Sequence, residues 1–593
     1  MTVPDVNMRF KSFPLISAYS ILLVLFPLGP APASSLMAGI GHAKPRHLRA
    51  CGPLQDAGAT YILDNDVSSP DSCFGVGADN ITLSLDGHTV TYATASQRYA
   101  TFGVSGIACW DPSEKNGEAN GAPCGASFDN FTLAGPGSIV QGPGAAPYSH
   151  PVRFGQGIHT GPFIRGVTFT WSATSSIGVY VNYAGGDLPG GGEVSLCTFH
   201  NNVTLIHNRH GEEGQSVKFD QAYRLQRPIL LMNNTVTGGA QGGLYTVAPG
   251  SSIYGNHVAQ AATYTNDFGI YVWAKHMDVH DNTVQPAQGR GISIDGVTGS
   301  TAESQVYNNV IEVIEKPDNI EYNGCQLGGA YAIQFDDNPI QATAYSNRAT
   351  SNAADCNGTA LRVTETTSEQ KNLSRNNIYT AQRNGRARGQ AYGMAVDGSQ
   401  GFTSNADTFV ADSANFFVDW DGTANIFCIS CTLRKGANPS PNYVTFSFVN
   451  GVAARNIHFQ DTKFENGAAK DSTDMQAINP LKWPAFGEYF IDWSYSLTLQ
   501  DDRGNPVPDV TISVTDSAHR TVYEGTTNAN GKISTVLNEF RMFNNTFEAA
   551  KEMHTPHQVK LKRDGCVAKQ NEFSMTIMEP TQQTMVMNCS EKK

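Results

Sequence analysis

Six short phrases between residues 269 and 419 carry the same kinds of side chain at the same places. They are Gly269-Ile270-Tyr271-Val272-Trp273, Gly291-Ile292-Ser293-Ile294-Asp295, Ala332-Ile333-Gln334-Phe335-Asp336, Ala360-Leu361-Arg362-Val363-Thr364, Gly393-Met394-Ala395-Val396-Asp397 and Asn415-Phe416-Phe417-Val418-Asp419. The second and fourth residues are apolar throughout, so the third and fifth share the opposite face of an extended segment. The third positions read Tyr271, Ser293, Gln334, Arg362, Ala395 and Phe417. The fifth read Trp273, Asp295, Asp336, Thr364, Asp397 and Asp419, with Asp337 directly following Asp336. If the phrases stack strand on strand, neighbouring carboxylates stand about 4.8 Å apart. A row of like charges at that spacing is unfavourable unless something offsets it.

Three readings of this row are open. Two carboxyl groups could serve as acid and base on a glycosidic bond. Adjacent layers, as for Asp295 and Asp336, give about 5 Å, which suits retention; a two-layer gap, as for Asp336 and Asp397, gives about 9.6 Å, near the upper limit for inversion. Alternatively the carboxylates hold Ca²⁺ while Arg362 abstracts a proton from a uronate, a demanding task for so strong a base. Or each aspartate ends its strand because Asp and Gly favour turns. The candidate catalytic residues are therefore Asp295, Asp336, Asp337, Arg362 and Asp397. The candidate substrate contacts are Tyr271, Trp273, Gln334 and Asp419. No metal ligand set emerges. His276, Asp278 and His280 alternate along one extended face, but the outer two stand about 13 Å apart on a strand. His200, His207, His210, Glu212 and Glu213 form a looser group.

These side chains need a scaffold that repeats. A second phrase, ending in Asn, lies between the first ones: Leu231-Met232-Asn233-Asn234, Ile253-Tyr254-Gly255-Asn256, Val279-His280-Asp281-Asn282, Val306-Tyr307-Asn308-Asn309 and Ala344-Tyr345-Ser346-Asn347, continued less perfectly by Asn377 and Asn405. Successive asparagines are 22 to 38 residues apart. Helical periodicity is nearly absent from residue 50 to 490, and no helix separates the copies. Gly178 to Asn182 reads as an earlier copy of the chemistry-bearing phrase. Stacked coils of short strands make a β-solenoid; four-stranded propeller blades need about 40 residues or more. Asn at a fixed place suits a left-handed turn residue or an amide stack between coils. Two residues before it runs a further outward stripe, Met232, Tyr254, His280, Tyr307, Tyr345 and Arg375. Its rings either receive sugars or cover one another. The longest step carries Glu312, Glu315, Asp318, Glu321 and Cys325, and reads as a loop beside Asp336 that could rim a groove.

The Gly-Ile-x-Ile-Asp and Asn-Asn-Thr/Val phrases at this period resemble the right-handed parallel β-helix of the pectate-lyase-like superfamily, over roughly residues 50 to 490. Asn80 to Val90 looks like the opening coils of such proteins. The resemblance implies the fold. It does not imply one activity: Asp336-Asp337 matches the Asp-Asp of polygalacturonases, but their Asn-Thr-Asp, Gly-His-Gly and Arg-Ile-Lys are missing. The Asp-Pro-His-Asp of β-helix epimerases and the paired arginines of pectate lyases are missing too. Beyond Trp483 the texture changes to strands joined by Asp502-Arg503-Gly504-Asn505-Pro506-Val507 and Thr526-Thr527-Asn528-Ala529-Asn530-Gly531. This part resembles carboxypeptidase-regulatory-like and collagen-adhesin B-type Ig-like modules, which implies a small β-sandwich that spaces or binds.

The expected organisation is a signal peptide over 1–33, a right-handed parallel β-helix over 34–490 and an Ig-like β-sandwich over 491–593. Arg9 and Lys11 before the apolar run Phe13 to Leu28, then Ala31-Pro32-Ala33, make the signal-peptide pattern, with no membrane span left after cleavage. Export lets the 11 cysteines pair. Proximity pairs Cys51 with Cys73, Cys109 with Cys124, Cys325 with Cys356, Cys428 with Cys431 and Cys566 with Cys589, leaving Cys197. Charged residues are only 16% of the 593 and the net charge is −13, so no basic face is available for nucleic acid. The 58 glycines fit many tight corners. The expectation is a secreted or periplasmic protein that meets a polysaccharide or cell-surface glycan, as a lyase or glycosidase, or as a non-catalytic adhesion or glycan-binding protein. No cofactor is required, with Ca²⁺ the one ion the row could hold.

Overall fold

The computed structural model describes residues 44–107, 128–475 and 487–589, less internal stretches that include 184–189, 204–215, 261–267, 297–302, 315–329, 337–340, 354–356, 367–371, 384–388 and 545–548. The putting together of strands is simple. Each coil contributes one strand to each of three parallel sheets, as in Asp278–His280, Thr283–Pro286 and Arg290–Asp295. Each strand pairs with its counterpart one coil earlier and one coil later. The sheets hold 20, 14 and 15 strands, the 20 including strands of the C-terminal part, several of them antiparallel; they are called first, second and third here in the order the chain visits them. The chain is an all-β parallel β-helix followed by a small β-sandwich. The sequence shows two phrases per coil, whereas the structure has three strands. The unrecognised one is the strand that begins directly after each turn asparagine, such as Thr235–Gly238, His257–Gln260 and Thr283–Pro286.

Inward side chains stack in columns. Ile270, Ile292, Ile333, Leu361, Met394 and Phe416 lie in one, and all are buried. Burying each of these completely stabilises the fold by roughly 1.5–3 kcal/mol. Glycine opens several of these strands because the corner leaves no room for a side chain. A Cβ on Gly291 would overlap the Ile311 side chain and the Ala332 carbonyl.

The turn from first to second sheet resolves the two roles proposed for asparagine. The residue before it takes the left-handed conformation: Asn233, Asp281, Asn308, Ser346 and Asn376 have φ of 54–55°. The asparagine itself points inward and is buried in Asn234, Asn256, Asn282, Asn309, Asn347 and Asn377. Each side-chain carbonyl accepts from the backbone N–H and the amide of the preceding rung, at 2.8–3.0 Å through Asn377. Each amide also donates to a backbone carbonyl one coil back. Asn405 does not continue this ladder. It ends the strand Gln400–Asn405, Ala406 takes the left-handed turn, and the next rung is Asp407. Its carboxylate accepts from the Asn377 N–H at 2.7 Å and amide at 3.0 Å, and from the Ser404 hydroxyl at 2.6 Å. Burial outweighs these bonds and pushes its pKa up to about 6.

At the far end the strand Glu488–Gln500 belongs to both parts. Phe490 to Asp492 pair in parallel with the last solenoid coil, and Tyr495 to Gln500 pair with Thr581 to Val586. Lys532–Asn544 runs antiparallel along its whole length. A second layer, Thr521–Thr526, Thr511–Thr515, His557–Lys562 and Glu572–Met575, is antiparallel throughout. Buried Glu539 ties the two parts, accepting from Lys470 Nζ at 2.6 and 2.7 Å and from the Trp493 indole at 2.7 Å. Disulfides join Cys51 to Cys73, Cys428 to Cys431 and Cys566 to Cys589. Cys197 is a free, buried thiol. The other two expected pairs lie outside the described residues. Among the described residues, no helix is long and apolar enough to cross a membrane.

Two stability predictions follow from these contacts. Replacing Asn309 by Ala strips an acceptor from the Asn282 N–H and amide and a donor from the Val279 carbonyl. At about 1–3 kcal/mol for each buried group left unpaired, the melting temperature falls by several degrees, and Asn309→Ser recovers little of it. His557 is fully buried with neither ring nitrogen paired. Burial lowers its pKa from 6.5 to about 4, partly opposed by Asp516 and reinforced by His554. Between those pH values the unfolded chain holds a proton that the folded chain refuses, so stability falls as the pH drops from 6.5 towards 4. The difference in unfolding free energy between wild type and His557→Leu should shift by roughly 3 kcal/mol across that range, as measured by denaturant titrations at stepped pH.

Candidate functional site

The outward face of the third sheet collects the side chains picked out in the sequence. Parallel pairing aligns Tyr271, Ser293, Gln334, Arg362, Ala395 and Phe417 in one column, each opposite the next. In the neighbouring column Asp295 stands opposite Asp336, and Thr364 opposite Asp397. Asp419 departs from it: a register shift after Val396 sets Trp420 opposite Asp397, and Asp419 is the extra residue of the bulge. Asp337 lies outside the described residues, as do Glu315, Asp318, Glu321 and Cys325.

The face is recessed although it points away from the core. Ser293 and Gln334 are 0% and 1% exposed, Asp397 5% and Asp295 7%. Aromatic pairs lie at its two ends. Tyr245 and Tyr271 stack 5.3 Å apart, with Phe268 4.9 Å from Tyr271; Tyr392 and Phe417 stack at 4.0 Å. The polar coils lie between. Five strand steps separate Tyr271 from Phe417, about 24 Å.

Interleaved partners offset the repulsion expected of the aspartate row. The Tyr271 hydroxyl donates to Asp295 Oδ2 at 2.5 Å. Burial, then Asp295, hold that phenol protonated far above its ordinary range. Arg290 Nη1 lies 3.3 Å from Asp336 Oδ2. Arg362 donates to Asp397 Oδ2 through Nε at 2.7 Å and Nη2 at 2.5 Å, and its guanidinium stacks 4.5 Å from the Tyr331 ring centre. Burial opposes the charge on Arg362, but Tyr331, Asp397 and Asp336 outweigh it and raise its pKa. A buried, ion-paired guanidinium holds its proton more tightly than a free one, which makes proton abstraction by Arg362 more demanding still. Asp419 behaves oppositely to a salt-bridged acid. Burial and the neighbouring Asp397 push its pKa up, with Arg362 only partly countering them.

Arg290, Tyr331 and Tyr392 were missed in the sequence. They pair in a third outward column with Phe268 and Thr359, just before the Gly or Ala that opens each phrase. That position was the available signal. Three of the carboxylates accept from Tyr271, Arg290 and Arg362. Among the described residues no group of three or more His, Cys, Asp or Glu is placed to hold a metal. His276 sits in a turn with φ of 58°, outside the strand Asp278–His280, and pairs with Glu303 at 2.9 Å. His200 lies on the second sheet beside Thr237; the remaining members of that group lie outside the described residues.

The stripe on the first sheet is not a sugar platform. Tyr254, His280, Tyr307 and Tyr345 stack face to face at 4.8–5.0 Å with interplanar angles of 1–9°. Arg375 covers the last ring at 4.8 Å and the Tyr254 hydroxyl meets Met232. The inner ring faces are therefore occupied by one another.

No family model matches the sequence, and no curated protein matches it either. Solved structures similar to the chain include the tailspike protein of E. coli bacteriophage HK620 in complex with a pentasaccharide, at 11% identity and a TM-score of 0.36, covering 86% of this chain and 82% of that one. Another is the periplasmic alginate epimerase AlgG in its T265N mutant, at 11% identity and a TM-score of 0.33, covering 69% and 78%. Likenesses this distant carry no argument about this chain; its own strand pairing defines the β-helix.

The Arg362–Asp397 pair gives a test of the site's electrostatics. Arg362→Met leaves Asp397 buried without its cation, which costs about 3–5 kcal/mol. Adding Asp397→Asn to that variant should recover most of the loss, because neither charge then remains. Thermal unfolding of the two singles and the double closes the cycle.

Proposed function

We propose that the chain binds an extended carbohydrate polymer along the outer face of the third sheet and hydrolyses a glycosidic bond at Asp397 and Asp419. The observation that carries this reading is the division between those two carboxyl groups. They come from neighbouring strands. Arg362 holds one in an ion pair, while burial and the first carboxylate raise the pKa of the other. Environments that differ in this way divide the two roles of a retaining pair, and carboxyl groups one coil apart suit retention. Asp419 gives its proton to the leaving oxygen as Asp397 bonds to the anomeric carbon and the glycosidic bond breaks. Water, passing its proton to Asp419, then displaces Asp397 from that carbon. The polar coils between the aromatic pairs supply hydrogen bonds to the sugar.

The setting is consistent with this. Three disulfides fit an oxidising compartment, in keeping with an N-terminal export signal and a secreted or periplasmic protein. The C-terminal sandwich, read as an Ig-like module, serves as a spacer or binding attachment. A second reading, glycan binding without turnover, is favoured by one observation: Asp295 and Asp336 are engaged by Tyr271 and Arg290, which makes that part of the row a fixed binding surface.

The test is a polysaccharide panel scored for new reducing ends and for the ultraviolet absorbance of unsaturated uronates. Hydrolysis predicts reducing ends without absorbance, with Asp397→Asn and Asp419→Asn each reducing the rate by about 10²–10⁴-fold. An acid must be protonated to work, so activity should fall as the pH rises past the raised pKa of Asp419. Growth of absorbance would replace hydrolysis with elimination. Binding without either product would establish the second reading.

A further inference from the structure

Three successive coils of the third sheet each hold one buried oxygen with no partner: Gln334 Oε1, Thr364 Oγ1 and Asp397 Oδ1. Gln334 and Asp397 are more than nine-tenths buried. All three belong to the outward columns, so the core cannot satisfy them. A buried acceptor left unpaired costs about 1–3 kcal/mol, and three on consecutive coils amount to a sizeable stored penalty. Asp397 Oδ2 is occupied by Arg362, which leaves Oδ1 as its open side. Groups that relieve such a penalty are hydrogen-bond donors: sugar hydroxyls, or the N–H of an acetamido sugar.

Charge points the same way. From Phe268 to Trp420, the described side chains of this face carry two cations, Arg290 and Arg362, against the carboxyl groups of Asp295, Asp336, Asp397 and Asp419. Both arginines are already paired, with Asp336 and Asp397. A uronate would bring a further negative charge to a recessed surface of net negative charge, where low dielectric strengthens repulsion. Gln334 Oε1 and Asp397 Oδ1 could offer its carboxylate no donor.

We propose that Gln334, Thr364 and Asp397 form a subsite for an uncharged sugar, read through its hydroxyl or acetamido donors, and that the site discriminates against uronate polymers. This rests on the reading of the third sheet as a carbohydrate site and narrows it to neutral glycans.

The test is affinity electrophoresis and calorimetry of the full chain with two sets of polymers. The neutral set is arabinoxylan, galactomannan, mixed-linkage β-glucan, dextran and chitin oligosaccharides; the acidic set is polygalacturonate, alginate and hyaluronate. At least one neutral glycan should bind, at least tenfold more tightly than any acidic one, with little change between 50 and 500 mM salt. Thr364→Val removes one hydroxyl without changing shape and should weaken that binding about three- to tenfold without lowering the melting temperature. Gln334→Glu, in case Thr364→Val unfolds, should weaken it further as the pH rises and the new carboxyl ionises. Acidic polymers binding as tightly as any neutral one would overturn the neutral-sugar subsite while leaving the carbohydrate site standing. Neutral binding unaffected by either substitution would overturn the subsite alone. No binding to either set would overturn both.

Discussion

Everything on this molecule's surface depends on the constraint that each coil pairs in parallel, in register, with the next. A strand has a side-chain period of two, so a slip of one residue would exchange the inner and outer faces. Two devices hold the register. One is the apolar filling of the coil. The other is the buried amide ladder from Asn234 to Asn377, in which every rung binds both the backbone and the side chain of its neighbour. The ladder is directional, because each carbonyl faces one coil and each amide the other. It needs an end that accepts without having to donate onward. Asp407 supplies that end, and the coils beyond place Cys431 and Thr462 at the same corner, each buried. With register fixed, residues some 30 apart in sequence become neighbours about 4.8 Å apart, and columns of chemistry can be built one coil at a time.

The fold was legible because its signals are local and repeated. Alternation in Ile292-Ser293-Ile294-Asp295 gives a half-buried strand, and its recurrence gives the solenoid. The strand after each turn asparagine carries no shared chemical signature: Thr235-Val236, His257-Val258, Val310-Ile311 and Arg348-Ala349 open four of them. The candidate face was half legible. Its two outward columns follow from counting within each phrase, and pairing reproduces the first of them residue for residue. The second fails at Asp419, because a bulge adds one residue that composition does not reveal. Asn405 fails for a related reason: the pattern fixes a turn, but not which of its residues faces inward. What the sequence could not display was partnership. Arg290 and Asp336 are 46 positions apart, and their pairing depends on a coil whose length no local rule sets.

Partnership is also what turns a row of aspartates from a liability into a site. Four carboxyl groups on a recessed face would repel one another strongly if left bare. Tyr271, Arg290 and Arg362 each engage one of them, and they do so from neighbouring coils, so the compensation is distributed along the helix axis. The fourth, Asp419, sits on the bulge and is left with a proton-favouring environment. A regular column would have placed it opposite Asp397 in the same setting as the others. The irregularity therefore produces the chemical asymmetry, as bulges beside functional sites often re-aim a side chain.

The first and third sheets offer a controlled comparison of what a stack of aromatic residues means. Both carry aromatic residues on an outer face. On the first sheet Tyr254, His280, Tyr307 and Tyr345 follow one another on consecutive coils, and Arg375 closes the end. Each ring spends its faces on the next, and the stack reinforces register from outside as the asparagines do from within. On the third sheet the aromatic run is broken after Tyr271 by Ser293, Gln334, Arg362 and Ala395 before Phe417 resumes it. A break in a stack removes stabilisation from the coils that carry it, and nothing in the solenoid's construction requires one. Polar and charged groups recessed in that gap, with oxygens left unpaired on three consecutive coils, add further unfavourable terms. A fold that could have continued its aromatic stack instead holds a costly polar interval between two aromatic ends, and that departure from its own most stable pattern is the physical ground for locating function there.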